Sequence, residues 1–567
     1  MLIETRPKRE ADLPRDIPPF LRDALAARGV RTASDLDLTL ADLHAPTTLP
    51  GIDAAVERLA AAVVDGERIL IAGDFDADGA TASALCVSVL RAFGVRADRV
   101  DFLVPNRFEY GYGLTPEFVE VALKGKPDVI VTVDNGTASV DGVALAQSQG
   151  VDVVVTDHHL PGDTLPAACA LVNPNLAGST FPSPNLAGVG VAYYVLGAIR
   201  SKLRSAGHFE RSGIEEPRLA DWLDLVALGT VADVVPLDRN NRILVHQGLR
   251  RIRAGKTRPG IAALIEAARR ARSRLTASDL GFTIAPRLNA AGRLQDIAIG
   301  IRCLLAEDAA EARRQAFSLS ELNDERREIE LAMNEDAQLA VETGDAGEGV
   351  SICVYEPGWH QGVVGIVAGR LRERYHKPAI AFADAGPNAP FVLKGSARSI
   401  PGLHIRDALA DCAARYPELI DGFGGHAMAA GLSIRRAALP RFRDAFDDAV
   451  AQRVTPRDLA GIVVVDGELA AGDLVLDNAQ LIRAHGPWGK DFEEPRFHGE
   501  FEVVAQRVVG ERHLKLVLKR DERVADAIAF NREPIAAKQV RAVYRLAVND
   551  YGDADTLQLE IDDMEEK

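Results

Sequence analysis

The sequence predicts an α/β protein of several domains: a larger lobe on a parallel sheet, a smaller α/β lobe, a long helical connector between them and a C-terminal β-barrel. Three observations carry this. Between Ile52 and Ala198, short apolar runs end in polar or Gly-containing loops and lead into helical stretches, as in RILIAGDFDADG, DRVDFLVP, DVIVTVDNG and VDVVVTDHH. Runs of that kind mark strands of a parallel sheet covered on both faces. Residues Ile301–Thr343 contain neither Gly nor Pro and are rich in Ala, Glu, Arg and Leu, which predicts one or two long helices. From about Gly461 the pattern turns to short strands, among them HLKLVLKR and VRAVYRLAV, as a barrel requires.

Taken in order, the chain divides into an N-terminal extension over 1–50, a catalytic parallel-sheet domain over 51–300, the connector over 301–345, the second α/β domain over 346–455 and the barrel over 456–567. The extension has one short helical pattern near Phe20–Arg28. Arg200–Gly281 reads as largely helical, with LADWLDLVALGTVADVVPL its most apolar part. Strand–helix alternation restarts near Val350 in VSICVYEPGWHQGVVGIVAGRL and KPAIAFAD.

The bulk numbers fit this plan. A chain of 567 residues exceeds what one core organises. Apolar residues at 47% and charged residues at 26% are the balance of a globular protein, and no stretch has the apolar length of a membrane span. The N-terminus is charged and Pro-rich and lacks the apolar core of a secretory signal. Five scattered cysteines, none in a CxxC pair, argue for a reducing cytoplasm and against a thiolate zinc site. A net charge of −16 excludes a simple basic DNA-coating protein. It is compatible with a site built from carboxylates that bind cations.

Four motifs carry chemistry. Asp74-Phe75-Asp76-Ala77-Asp78-Gly79 follows the apolar run ILIAG; three carboxylates at alternate positions past a strand end can converge on hard divalent cations. A calcium loop of similar spelling needs a preceding helix and a Glu at its twelfth position, where this chain has Leu85. Asp134-Asn135-Gly136 ends another strand and, alone, reads as an Asn-Gly turn. Asp157-His158-His159 ends a third, and alone reads as a capped loop with two solvent histidines. Adjacent histidines point apart, so one suits a metal and the other a substrate. Asp233 is a lone charge in the apolar stretch Leu228–Leu237, and a buried Asp needs a partner or a cation. Alone it is as readily a helix cap. Three carboxylate motifs at the ends of strands in one sheet favour a common metal site.

The order DxDxDG, VDNG, DHH, GTVADVVPL resembles the four motifs of the DHH phosphoesterase family. APRLNAAGRL (Ala285–Leu294), GWHQGVVGIVAGRL, GSARSIPGL and GFGGHAMAA resemble the connector and DHHA1 domain of its single-stranded-DNA exonuclease branch. The resemblance runs from about residue 50 to the end. It implies a DHH lobe, a DHHA1 lobe and an OB-like barrel. It further implies a two-metal phosphodiesterase that hydrolyses single-stranded DNA in the 5′→3′ direction and releases 5′-mononucleotides, in recombination and repair. The cofactors are two divalent ions, Mn²⁺ or Mg²⁺. Asp76, Asp78, Asp134, His158 and Asp233 match the metal ligands, with Asp134 bridging the ions. Asp74 and Asp157 are direct or outer partners, and His159 meets the phosphate. Pyrophosphatase-like relatives carry a His four residues before the first ligand Asp; Ala72 stands there in this chain, and Asp74 is placed to compensate.

Other features point to the substrate. Gly422-Phe423-Gly424-Gly425-His426 exposes backbone N–H groups that can cradle phosphate, and otherwise reads as an ordinary loop. Ser396 and Arg398 offer a hydroxyl and a guanidinium for an anion. His360 and Gln361 precede a helix whose N-terminus favours anions. Arg107, in PNRFEYGYGL, is placed to clamp a terminal phosphate or is a surface arginine. The family match adds Arg287, Asn289 and Arg293, and sets the smaller lobe across a cleft from the metals. Arg250–Arg274 holds nine basic residues and one acidic, which reads as a backbone-tracking patch. The barrel adds Arg507, Arg512, His513, Lys515, Lys519 and Arg520, with Trp488, Phe492 and Phe497 as stacking aromatics or core.

Three rival readings stand against this one. A DHH enzyme for very short RNAs or nucleoside phosphates lacks a reason for the barrel and the basic run. A non-catalytic DNA-binding relative loses metal carboxylates, whereas all four motifs are intact here. An inorganic pyrophosphatase is far shorter. Expected partners, by family, are single-stranded DNA, single-strand-binding protein, a helicase and recombination or mismatch-repair machinery, with no membrane.

Overall fold

A computed structural model gives the structure, and it describes residues 1–106, 110–346, 349–387, 389–510, 512–550 and 554–567. The chain forms two compact units: Met1–Arg6 with Asp324–Val465, and Pro7–Asn323 with Asp466–Lys567.

The strands in chain order begin with β1 (Leu2–Thr5). The catalytic sheet holds β2 (Ile69–Gly73), β3 (Val100–Leu103), β4 (Val129–Val133), β5 (Asp152–Thr156) and β6 (Ala170–Val172), all parallel, in the order β3-β2-β4-β5-β6. Every residue of β4 is buried, because helices cover both faces. The helix Ala77–Ala92 is almost wholly buried, and its run of Ala, Ser and Thr lets it lie close to its neighbours. Further helices, among them Gly188–Ser205, Leu223–Ala232 and Arg239–Arg253, complete the domain.

The barrel belongs to the same compact unit. It comprises β13 (Phe497–Val509), β14 (His513–Arg520), β15 (Arg523–Ala529), β16 (Gln539–Asn549) and β17 (Thr556–Glu566), closed in the order β13-β14-β15-β17-β16. Leu514, Leu516 and Leu518 alternate inward on β14, and the barrel interior is continuous with the core of the parallel-sheet domain.

In the other unit, β7 (Ile352–Tyr355), β8 (Ala379–Asp384), β9 (Val392–Arg398), β10 (Gly422–Gly425) and β11 (Ala429–Arg435) form a mixed sheet in the order β10-β11-β9-β8-β7. The connector is a single helix over Ala309–Glu342, preceded by the helix Ala298–Leu305.

Two segments differ from the sequence expectation. The run GIVVVDGEL does not enter the barrel: β12 (Ile462–Val465) pairs in parallel with β1, from Leu2↔Ile462 to Thr5↔Val465. The first fifty residues are therefore not one extension; Met1–Arg6 joins the smaller lobe, and the helix Pro19–Ala27 packs into the larger unit. There Arg28 forms a two-pronged ion pair with Asp466, Nη1 to Oδ1 at 2.6 Å and Nη2 to Oδ2 at 2.8 Å. Their side chains are 1% and 2% exposed. Among the described residues no helix is long and apolar enough to cross a membrane.

Candidate metal centre

Because β2, β4 and β5 are adjacent and parallel, the loops after them emerge side by side at one sheet edge. Asp74–Gly79, Asp134 and Asp157–His159 are those loops. Asp233 arrives from the C-terminal end of the helix Leu223–Ala232. The structure thus brings Asp74, Asp76, Asp78, Asp134, His158 and Asp233 together. Ligand-type atoms of Asp74, Asp76 and Asp134 lie within 4.8 Å of one another, as do those of Asp78, His158 and Asp233. Those of Asp134, His158 and His159 form a third such group.

Two of the carboxylates, Asp76 and Asp78, are held by backbone N–H groups. Asp76 caps the helix Ala77–Ala92, its Oδ1 accepting the N–H groups of Asp78 at 2.9 Å and Gly79 at 3.0 Å. Gly79 lies in the first turn of that helix, where a Cβ would meet the Asp74 backbone at 2.6 Å; close approach, not a sharp turn, demands glycine there. Asp78 accepts the N–H groups of Gly188 at 2.6 Å and Val189 at 3.0 Å, the start of the helix Gly188–Ser205. Asp134 adopts a left-handed φ of 62°. Such backbone strain in a non-Gly residue concentrates at functional sites. A Cβ on Gly188 would lie 2.5 Å from the Asp134 Cβ, so glycine at 188 makes room for it.

The charges in this group oppose one another. Burial, then the charges of Asp233 and Asp76, push the Asp78 carboxyl well above its ordinary range. Burial, then Asp78 and Asp76, do the same to Asp134. Burial raises Asp233 although His158 works against it. His158 is driven down by burial, despite Asp233, and so favours the neutral imidazole that binds metals. Its Nε2 stands 3.1 Å from Asp134 Oδ1 and 3.5 Å from Asp233 Oδ2. These three atoms are buried without hydrogen-bond geometry to any partner among the described residues. Repelling carboxylate oxygens converging with one imidazole are a donor set for hard divalent cations, and the residues present fit such ions.

Asp157 does something else. Its Oδ1 accepts the backbone N–H groups of His158 at 2.7 Å and His159 at 3.1 Å, and the His159 Nδ1–H at 2.8 Å; its Oδ2 accepts Thr137 N–H at 2.9 Å. With both oxygens engaged, it positions His159 and leaves the direct ligation open to Asp74. Burial would raise the Asp157 carboxyl, but the His159 hydrogen bond and charge hold it well below the ordinary range. Burial would lower His159, yet the bond to Asp157 wins and lifts it to about 9. The Asp157 carboxylate thus favours the protonated imidazolium of His159. The Tyr112 hydroxyl lies 3.1 Å from its Nδ1 and 3.2 Å from its Nε2, and donates to the Asp134 carbonyl at 3.4 Å. Sequence reasoning missed Tyr112, Gly188 and Val189. Tyr112 stands in the same PNRFEYGYGL segment as Arg107, which lies outside the described residues.

The other candidates divide. Asn289 Oδ1 accepts Ala77 N–H at 2.8 Å and so braces the DxDxDG loop. Buried Arg287 bonds the Thr283 carbonyl and, at 3.1 Å, Ser320 Oγ; it ties helices together. Arg293 sits half-buried in the last turn of the helix Ala285–Leu294. His360, Gln361, Ser396, Arg398, Gly424, Gly425 and His426 all lie in the smaller lobe. There Arg398 Nη1 donates to Ser396 Oγ at 3.0 Å and to the Ala397 carbonyl at 2.9 Å. Burial, then Arg372, lower the Arg398 guanidinium, and among the described residues no carboxylate pairs with it. A first-turn Cβ at Gly365 would meet Arg398 at 2.9 Å and Ser396 at 3.0 Å. His360 Nδ1 accepts Gly362 N–H at 3.1 Å. Gly422–Gly425 is not the expected loop but the edge strand β10, and His426 N–H closes the turn to β11 on the Ala429 carbonyl at 2.8 Å.

Part of the basic run is paired within the fold. Arg251 pairs with Asp221, Arg258 with buried Asp224, Arg270 with Asp279, and Arg274 with Asp550 and Asp555, while Arg253 bonds the Leu275 carbonyl. Arg250, Lys256, Arg269, Arg270, Arg272 and Arg274 are nonetheless exposed, so part of the run faces solvent. Phe492 and Phe497 are core, and Trp488 stacks on Phe492 with Nε1 bonded to the Ile482 carbonyl. Among the described residues of the barrel the exposed aromatic is Phe530, edge-on to His513 with ring centres 5.3 Å apart.

Comparison with known proteins agrees with this geometry. The DHH family N-terminal domain matches residues 68–230, the DHHA1 domain 348–452 and the RecJ OB domain 465–563. A single-stranded-DNA-specific exonuclease RecJ of Dickeya dadantii is 50% identical over 99% of this chain and 98% of its own length. Its Escherichia coli K12 counterpart is 49% identical over 98% and 97%. The crystal structure of RecJ with Mn²⁺ from Thermus thermophilus superposes with a TM-score of 0.78 at 30% identity, covering 99% of this chain and 79% of that one. The RecJ–Mg²⁺ structure from the same source gives 0.72 at 29% identity, covering 99% and 78%. With three domain matches in order and near-half identity along its length, the chain belongs to the RecJ family of single-stranded-DNA-specific exonucleases.

Proposed function

We propose that this chain hydrolyses phosphodiester bonds of single-stranded DNA with two divalent ions, Mn²⁺ or Mg²⁺, proceeding 5′→3′ and releasing 5′-mononucleotides. The observation that carries the reading is the convergence of two ligand groups, Asp74/Asp76/Asp134 and Asp78/His158/Asp233, joined where His158 Nε2 approaches Asp134 Oδ1 at 3.1 Å. Asp76, Asp78, Asp134, His158 and Asp233 would hold the ions, with Asp74 completing the first site. The chemistry supplied by bound ions is activation of a water and neutralisation of charge on the phosphoryl oxygens.

The protein's own residues do the rest. His159, kept protonated by Asp157, donates its Nε2–H toward a phosphate oxygen. Tyr112 borders the same imidazole and limits how it can turn. Asp78 is fixed by two backbone donors, so its carboxylate does not reorganise as charge develops. In the smaller lobe, Ser396 and Arg398, which pairs with no carboxylate among the described residues, offer a hydroxyl and a guanidinium to a phosphate, while the polarity rests on family membership. Family membership supports a role in recombination and repair in the cytoplasm, with single-strand-binding protein and a helicase as partners.

Single strands labelled at either end, incubated with Mg²⁺, Mn²⁺ or EDTA, test this. Label at the 5′ end should be released first as mononucleotide, and only with metal. Release first from the 3′ end rejects the polarity, and full activity in EDTA rejects the metal mechanism.

A further inference from the structure

Phe282 has the most exposed large apolar side chain among the described residues, 80% open to solvent. It does not sit on a loose loop. It occupies the middle of a one-turn π-helix, Leu280–Ile284, whose two end residues are fully buried. The Thr276–Asp279 capping box precedes that turn, and Arg287 grips its Thr283 carbonyl. The backbone is therefore pinned on both sides while the phenyl ring points out. Single-turn π-helices recur at functional sites.

The turn is also close to the carboxylates. A Cβ at Gly281 would lie 3.1 Å from the Val231 side chain, two residues ahead of Asp233. Val234, next after Asp233, is 60% exposed and holds a left-handed φ of 59°. Downstream, the helix that continues from the π-turn places Asn289 on the Ala77 N–H. The turn is thus fastened at one end to the helix that delivers Asp233 and at the other to the DxDxDG loop. A rigid aromatic at that place has the chemistry of a nucleobase platform, since any base offers it a π-face whatever the sequence.

We propose that Phe282 stacks on an unpaired base of the single-stranded DNA and so positions the strand at the metal centre. This rests on the function proposed above. A base held in a duplex cannot splay onto the ring, so the contact also favours single strands over double strands.

The test uses the full chain and an internally labelled single-stranded oligonucleotide, with equilibrium binding measured in EDTA and steady-state hydrolysis with Mn²⁺. Phe282→Ala and Phe282→Leu should each weaken binding and raise KM by roughly 5- to 100-fold, the range of one lost stack, with kcat little changed. Phe282→Trp should restore both, and Phe391→Ala, which removes an exposed phenyl of the smaller lobe, should alter neither. A single abasic site walked along the oligonucleotide should weaken parent binding at one or two positions and add no loss there in Phe282→Ala. Parent-like binding by Phe282→Ala and Phe282→Leu, or an abasic loss that persists in Phe282→Ala, overturns the proposal. If the parent protein binds the strand in a Phe282-dependent way but releases no nucleotide with Mn²⁺, it is the functional reading that fails.

Discussion

Gly188 serves Asp78 and Asp134 at once: its N–H donates to Asp78 Oδ2 at 2.6 Å, while its missing side chain leaves the space that Asp134 fills. Gly188→Ala should therefore displace Asp134 or the start of its own helix. The expected loss of nuclease activity is at least 100-fold, with a stability loss of about 1–3 kcal/mol, as for other overpacked sites. Steady-state rates and thermal denaturation of the purified variant check both numbers.

Asp134→Ala should abolish hydrolysis without unfolding the protein. The metal-free variant should be at least as stable as the metal-free parent, because one of several mutually repelling buried carboxylates is gone. Mn²⁺ should raise the Tm of the parent by binding the folded state, and the variant should lose most of that rise. Calorimetry with Mn²⁺ and with EDTA measures it. An unchanged Mn²⁺ response would remove Asp134 from the metal site.

Asp157→Asn keeps an acceptor for the loop amides but removes the charge that keeps His159 protonated. kcat at neutral pH should fall about 10- to 100-fold, the scale of a lost orienting partner, with metal affinity retained. Mn²⁺ titration beside turnover assays separates the two.

Arg28→Ala strands the Asp466 carboxylate in the core of the larger unit. Removing one partner of a buried ion pair costs about 3–5 kcal/mol. The loss should be read in urea denaturation, and a paired Arg28→Met, Asp466→Leu variant should recover much of it.

Much of the centre was legible because a parallel sheet turns sequence order into place. Three apolar runs that end in carboxylate motifs must present them at one edge, so Asp76, Asp134 and His158 could be grouped before any coordinates. Gly188 and Val189 could not, since LAGVGVAYY reads only as the start of a buried helix and gives no sign of what its N–H groups meet. The pairing within the basic run was hidden for a similar reason: Asp221, Asp224, Asp550 and Asp555, which pair with Arg251, Arg258 and Arg274, are apart from it in sequence, two of them almost 300 residues away. Aromatic identity also does not tell inside from outside. Phe497 fills the barrel core, whereas Phe282 and Phe530 face solvent.

The pairing of β1 with β12 sets an order on biosynthesis. The partner of Leu2–Thr5, Ile462–Val465, follows it out of the ribosome some 460 residues later. At about 5–20 residues per second, the strand waits on the order of tens of seconds for its match. The larger unit meanwhile lacks its barrel, which begins only at Phe497. Neither unit can therefore be finished before Val465 has been translated.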